Sequence, residues 1–233
     1  MAIGDSLLKI DCGEGALVSA VFSHPPQARA SYVFAHGAGA GMQHAFMAAL
    51  SAALAERGVA TLRFQFPYME RGSRRTDPPP IARAAVRAAI ARALDLMPNA
   101  ALFAGGKSFG GRMTSQAQAE LPLPGVRGLI FVGFPLHPAG KPSLDRAEHL
   151  SNIHCPMLFL QGTRDDLADL ELISDVVMHL GDRATLKLFE DADHSFHVRA
   201  RSGRTDAQVL SSLADGMVDW MHTDWPTTCP VQP

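Results

Sequence analysis

One segment of the chain, residues 101–112, reads ALFAGGKSFGGR. The apolar run Ala101 to Ala104 predicts a short buried strand, and a helix-compatible segment, Arg112 to Glu120, follows the glycines. Between them, residues 106–110 match the pattern Gly-x-Ser-x-Gly, which in a strand–turn–helix context predicts a sharp turn that exposes the side chain of Ser108. An ordinary glycine-rich turn between a strand and a helix is the alternative interpretation.

Short apolar runs and helical stripes alternate along the rest of the chain. The strand pattern recurs at Tyr32 to Ala35, Thr61 to Phe66, Leu129 to Val132, Met157 to Leu160 and Thr185 to Phe189. An antiparallel pair, Leu7 to Ile10 with Ala16 to Phe22, precedes them. We therefore predict one α/β domain over residues 1–233: a mostly parallel sheet with helices on both faces, an N-terminal antiparallel hairpin and a coil tail of about eight residues.

Composition and charge exclude several functions. The chain has 233 residues, 47% of them hydrophobic, and its 21 basic and 23 acidic residues give a formal charge of -2. This balance shows no electrostatic footprint for nucleic acid or an anionic membrane. Three widely spaced cysteines form no disulfide or zinc pattern. The N-terminal sequence lacks the pattern of a signal peptide, so we expect a cytoplasmic protein.

A second glycine-rich segment, residues 36–42, reads HGAGAGM after the strand that ends at Ala35. Alternate glycines allow backbone N–H groups to converge on one point, as an oxyanion hole or a phosphate site requires. A dinucleotide site is disfavoured because the third glycine and the acidic residue after the next strand are missing. A phosphate-binding P-loop is disfavoured because Ala101 occupies the position of its first glycine. We expect no cofactor.

Two acidic segments follow later strands and supply the remaining candidate residues. Residues 161–166 read QGTRDD, and residues 190–197 read EDADHSFH. Ser108, Asp165 and His194 each follow a predicted strand, and their order along the chain is that of a serine hydrolase triad on a doubly wound sheet. Asp166 remains an alternative to Asp165. A metal site is the rival interpretation of the second segment, but its spacing matches no standard ligand pattern, so we expect no metal.

Four segments carry a resemblance to a known family: residues 36–42 (HGAGAGM), 63–68 (RFQFPY), 106–112 (GKSFGGR) and 134–142 (FPLHPAGKP). The chain resembles the α/β-hydrolases and, among them, the hydrolase-like family that includes a subunit of the nonspecific-lethal histone acetyltransferase complex and a testis-expressed protein. Its bacterial members are described as dienelactone-hydrolase-like. The resemblance implies Ser108 as nucleophile, Asp165 as acid and His194 as base, with Phe109 and Ala38 donating backbone N–H groups to the oxyanion.

The predicted pocket is shallow because the chain leaves no room for a lid. About two dozen residues separate Val132 from Met157, and prolines interrupt their first half, so we predict one short helix around Leu144 to Leu150 and no cap domain. We expect a shallow, open pocket whose candidate lining residues are His36, Met42, Tyr68, Leu136 and His137.

These observations favour a serine hydrolase that cleaves a small carboxylic ester or thioester through an acyl-enzyme. Its partner would be a small-molecule substrate rather than nucleic acid or a membrane. One alternative is a catalytically idle hydrolase fold that binds a protein partner. Another is a lactone or peptide hydrolase on the same fold, although serine at position 108 disfavours the dienelactone branch, in which the nucleophile is usually cysteine.

Overall fold

A computed structural model describes residues 4–13, 15–223 and 225. Its centre is an eight-stranded sheet in the order β1-β2-β4-β3-β5-β6-β7-β8. The strands are β1 Gly4–Asp11, β2 Leu17–His24, β3 Ala30–Ala35, β4 Val59–Phe64, β5 Ala101–Lys107, β6 Val126–Val132, β7 Met157–Gly162 and β8 Ala184–Phe189. β2 is antiparallel to β1 and to β4, and every other neighbouring pair is parallel. The predicted hairpin and mostly parallel sheet are confirmed.

Helices cover both faces of the sheet. They are α1 Ala45–Glu56, α2 Pro67–Glu70, α3 Pro79–Leu96, α4 Phe109–Glu120, α5 Leu170–Leu180 and α6 Asp206–Met221, with 3₁₀ turns at Glu148–Asn152, Gly181–Arg183 and Ala200–Ser202. Within the described ranges, no helix combines the length and the apolar character needed to cross a membrane.

The core lies in two layers, one on each face of the sheet. Along β3 the side chains alternate, so Tyr32 and Phe34 pack on one face while Val33 packs on the other. The layer that contains Tyr32 and Phe34 includes residues of α1 and α6, such as Leu54 and Leu213. The layer that contains Val33 includes residues of α3, α4 and α5. All six residues of β3 are buried, which explains why the central strands read as unbroken apolar runs.

The segment between β6 and β7 holds no cap domain, as the sequence predicts. The helix predicted around Leu144 to Leu150 is instead the short 3₁₀ turn Glu148–Asn152. Pro135, Pro138 and Pro142 keep the preceding segment out of a helix because proline cannot donate a backbone hydrogen bond. The predicted coil tail falls outside the described residues, and the assignment of residues 1–233 to a single domain stays a prediction.

Candidate active site

Ser108 lies on a strained turn between β5 and α4. Its backbone adopts φ 51° and ψ -116°, in the left-handed half of conformational space that non-glycine residues rarely enter. A Cβ atom at Gly106 would come within 2.5 Å of the Ala35 carbonyl oxygen, and one at Gly110 would come within 2.7 Å of the His36 carbonyl oxygen. The two glycines therefore let α4 begin directly against the end of β3, and the turn leaves the Ser108 side chain half-buried.

Three side chains from three strand ends form one hydrogen-bonded line. His194 Nε2 lies 2.9 Å from Ser108 Oγ, and His194 Nδ1 lies 2.7 Å from Asp165 Oδ2. The Asp165 side chain is fully buried, whereas 24% of the His194 side chain is exposed. Asp166 is exposed. The structure thus brings Asp165, rather than its neighbour Asp166, against the histidine.

The buried carboxylate of Asp165 is held by further donors. Its Oδ1 accepts the backbone N–H of Leu167 at 2.8 Å, and its Oδ2 accepts a second hydrogen bond from Gln161 Nε2 at 2.5 Å. The amide oxygen of Gln161 in turn accepts the backbone N–H of Phe134 at 3.0 Å. These hydrogen bonds satisfy the buried oxygen atoms of Asp165 and fix the direction in which Oδ2 faces His194.

The loop that carries His194, residues 190–197, is held in shape by hydrogen bonds within the loop and at its base. Asp193 Oδ1 accepts the N–H groups of Ser195 and His197 at 2.8 and 3.0 Å. The Ala192–Val198 bridge closes the loop at its base. Gly162 permits this arrangement, since a Cβ there would meet the Ala192 carbonyl carbon at 2.8 Å. We call residues 190–197 the histidine loop.

The glycine loop, residues 36–42, is held from beneath by buried side chains. His36 Nε2 accepts the backbone N–H of Phe66 at 3.1 Å, and its Nδ1 lies 2.8 Å from the Gly37 carbonyl oxygen. Burial lowers the pKa of His36 to about 4, so the ring is neutral, with its proton on Nδ1. The Tyr68 hydroxyl oxygen accepts the Gly39 N–H at 3.0 Å. These contacts hold the glycine loop against the segment that follows β4.

The two residues expected to supply oxyanion donors are the first residue of α4 and a residue of the glycine loop. Phe109 opens α4, where backbone N–H groups have no acceptor within the helix. Its ring packs edge-on against Phe66 and Tyr68, with centroids 5.2 and 6.3 Å away. Ala38 is exposed on the glycine loop and lines the cavity beside Ser108. Their roles as donors stay predictions.

A cavity of about 330 Å³ adjoins Ser108 and His194. Apart from those two residues, its lining comes from the glycine loop, the capped start of α1, the end of β5, the segment after β7 and the histidine loop: Gly37, Ala38, Ala40, His44, Phe46, Met47, Lys107, Leu167 and Ser195. This lining replaces the one expected from the sequence. None of His36, Met42, Tyr68, Leu136 and His137 is among these residues, because all five are buried beneath the loops, at 7% exposure or less.

The acidic and histidine side chains of the rival metal interpretation have other partners. His197 Nδ1 lies 2.8 Å from Asp206 Oδ2, on the exposed side of the histidine loop. Asp193 accepts backbone hydrogen bonds, and His194 faces Ser108 and Asp165. Among the described residues, no group of three or more His, Cys, Asp or Glu side chains has an arrangement that could hold a metal ion.

A comparison with known families identifies the family of this chain. Residues 28–222 match the family described as the alpha/beta hydrolase domain. The chain belongs to this family. Membership identifies it as a hydrolase and confirms the expected superfamily, while the narrower resemblance to the nonspecific-lethal and testis-expressed proteins stays a prediction.

Solved structures resemble the fold of this alpha/beta hydrolase over almost its full length. A dienelactone hydrolase from Anabaena variabilis is 18% identical, with a TM-score of 0.75 over 94% of this chain and 97% of that one. A serine hydrolase without a lid from Xanthomonas campestris is 21% identical, with a TM-score of 0.72 over 100% and 99%. The esterase domain of a Rhodothermus marinus protein is 18% identical, with a TM-score of 0.70 over 94% and 98%.

Sequence reasoning missed two groups of site residues in this hydrolase. The first lines the cavity from the N-terminal end of α1, namely the capping residue His44 together with Phe46 and Met47. The second supports the hydrogen-bonded line, namely Gln161 and Lys107, whose Nζ donates to the His194 carbonyl oxygen at 2.5 Å. A signal for the second group exists, because both side chains come from the last two residues of a strand and therefore from the edge that carries the site.

Proposed function

We propose that this chain is a serine hydrolase that cleaves a small carboxylic ester or thioester through an acyl-enzyme on Ser108. The observation that carries the proposal is the line from Asp165 through His194 to Ser108, with distances of 2.7 and 2.9 Å at the mouth of a cavity. A serine hydroxyl is a weak nucleophile, and an adjacent imidazole oriented by a carboxylate is the arrangement that activates it.

In the acylation step, Ser108 Oγ attacks the carbonyl carbon of the substrate while His194 Nε2 takes the hydroxyl proton. Asp165 accepts a hydrogen bond from the Nδ1–H of His194 and stabilises the imidazolium. The carbon–oxygen or carbon–sulfur bond then breaks, and His194 Nε2 returns its proton to the leaving alcohol or thiol. The acyl group remains on Ser108 as an ester.

In the deacylation step, a water molecule takes the place of the leaving group. His194 Nε2 removes a proton from that water, which attacks the acyl carbonyl carbon. The bond to Ser108 Oγ breaks, and the serine regains its proton from His194. In both steps the carbonyl oxygen carries negative charge. We assign the stabilisation of that charge to hydrogen bonds from the backbone N–H groups of Phe109 and Ala38. Loss of one such donor typically raises the barrier by about 2.7–4 kcal/mol.

The cavity favours a substrate with a small acyl group. Half of its side chains are apolar, including Ala38, Phe46, Met47 and Leu167, and its volume is about 330 Å³. No cap domain extends it, so a long acyl chain would remain in water and gain no burial energy. The substrate we propose is therefore a small molecule, and the reaction needs no metal or cofactor. The cytoplasmic location stays a prediction.

Labelling with a fluorophosphonate, which reacts with activated serines, tests the proposal. We expect one probe per wild-type chain and none on Ser108→Ala. Ser115 offers a matched control, because its Oγ lies 2.7 Å from His149 Nε2, and burial next to Arg112 lowers the pKa of His149 to about 4. Ser115→Ala should be labelled as the wild type is. A folded wild type that is not labelled would overturn the proposal in favour of a non-catalytic interaction module.

A further inference from the structure

Lys107 bridges the two segments that carry Ser108 and His194. It is the last residue of β5, directly before Ser108, and its Nζ donates to the backbone carbonyl oxygen of His194 at 2.5 Å. The same Nζ lies 5.6 Å from the ring centroid of Phe196, over the ring face. The ammonium therefore contacts the histidine loop at two points, a carbonyl dipole and an aromatic face, both of which attract a cation.

The fold leaves space for this side chain. Gly133, at the end of β6, has φ +68°, and a Cβ atom there would lie 3.0 Å from Lys107 Nζ and 3.5 Å from His194 Cε1. The Lys107 side chain thus passes over Gly133 to reach the histidine loop. A Cβ at this position would crowd the Lys107 ammonium, whereas its distance from the imidazole is an ordinary van der Waals contact.

We propose that Lys107 is a positioning residue, whose ammonium fixes the histidine loop to the strand that carries Ser108 and so sets the distance between His194 Nε2 and Ser108 Oγ. This inference rests on the proposed function. Lys107 acts through the main chain of His194 and transfers no proton to substrate. Because proton transfer depends steeply on the geometry of the two groups, loss of the bridge affects the chemical step more than substrate binding.

The electrostatic surroundings make the bridge sensitive to pH. Burial lowers the pKa of Lys107 to about 8, and the carboxylates of Asp165 and Asp193, on the segments after β7 and β8, partly oppose this effect. His194, Asp165 and Asp193 are the titratable groups that face it. Below pH 8 the ammonium is charged and its bond to the carbonyl oxygen is charge-assisted; above pH 8 the neutral amine is a weaker donor. The rate should fall as pH rises through about 8.

The experiment compares wild type, Lys107→Met and Lys107→Arg, using kcat and KM for a short-chain p-nitrophenyl ester from pH 6 to 10. We expect Lys107→Met to lower kcat about tenfold, to change KM by less than about threefold and to lose the fall in rate above pH 8. Lys107→Arg should move that fall beyond pH 10, because a guanidinium stays protonated. Lys187→Met is the matched control, since Lys187 also donates to a backbone carbonyl, that of Gly216, at 3.2 Å.

The outcomes separate this inference from the proposed function. Loss of Ser108-dependent labelling in the wild type would refute the hydrolase itself, and the inference with it. With labelling intact, a Lys107→Met variant that keeps the wild-type kcat, or a fall in rate at the same pH in all three proteins, would overturn the role of Lys107 alone. If Lys107→Met does not fold, the wild-type profile decides: a rate that stays constant from pH 7 to 10 overturns the inference.

Discussion

Replacement of Asp165 by asparagine tests the arrangement of the site most directly. Asp165 accepts three hydrogen bonds, from His194 Nδ1, Gln161 Nε2 and the Leu167 N–H, and its side chain is fully buried. Oδ2 alone faces two of those donors. If asparagine placed its NH₂ group there, that donor would face the donors of Gln161 and His194. His194 would then turn its unprotonated nitrogen toward the amide and its N–H toward Ser108.

The magnitude follows from these contacts. In serine proteases the corresponding exchange selects the wrong histidine tautomer and lowers kcat by about four orders of magnitude, which is about 5.4 kcal/mol in the barrier. Leaving a buried donor without its acceptor costs about 1–3 kcal/mol in the free energy of unfolding. We therefore expect Asp165→Asn to remain folded with a lower Tm and to lose nearly all activity.

The assay is kcat/KM for a short-chain p-nitrophenyl ester, together with the rate of fluorophosphonate labelling. Asp166→Asn is the matched control, because Asp166 is the next residue and is exposed. We expect it to change the free energy of unfolding by less than about 0.5 kcal/mol and to leave activity near the wild-type level. An Asp165→Asn variant within tenfold of the wild type, or a severe loss in Asp166→Asn instead, would refute the assignment.

Three further outcomes can be measured. Gly106→Ala should lower the free energy of unfolding by at least about 1–3 kcal/mol, because the new Cβ meets the Ala35 carbonyl oxygen at 2.5 Å. Gly4→Ala is the control, since its Cβ meets nothing within 4 Å, and it should not lower that free energy. Equal Tm values for the two variants would contradict this prediction. The folded chain should lose stability as pH falls from about 6.5 to 4. Burial lowers the pKa of His36 and of His149 to about 4, so in this pH range the unfolded chain binds more protons than the folded chain. Urea denaturation at several pH values measures the free energy of unfolding, and a value that does not change with pH argues against the prediction. Hydrolysis of p-nitrophenyl esters should peak at acyl groups of about two to four carbons and fall beyond about eight; a steady rise toward long chains would reveal a tunnel.

The residues of the hydrogen-bonded line were predictable because a parallel sheet collects the ends of its strands at one edge. Ser108, Asp165 and His194 are far apart in the chain, yet each follows a strand that the apolar pattern reveals. The residue pattern alone leaves Asp165 and Asp166 open, since the two are identical neighbours, and only the family resemblance favours Asp165. The turn that closes with the Asp165 N–H on the Gly162 carbonyl oxygen determines which of them is buried.

The cavity lining could not be read from the sequence for a different reason. Met47 packs in the core with Leu50 and Leu54 of α1, yet Met47 also forms part of the cavity wall. Whether a helix residue faces a cavity depends on where the loops above it stop, and that position is set by packing between distant segments. Periodicity reports which face of a helix is apolar and carries no information on what covers it.

The residues wrongly expected in the pocket indicate how this site is built. His36 and Tyr68 belong to motifs that the family resemblance singles out, but their polar atoms bond to the backbone N–H groups of Phe66 and Gly39. Tyr68 therefore holds the glycine loop from below, and His36, the first residue of that loop, ties it to the segment after β4. Lys107 has the same kind of contact with the histidine loop, through a carbonyl oxygen. In this hydrolase, motif side chains hold the backbone in place, and the backbone in turn presents the groups that would meet the substrate.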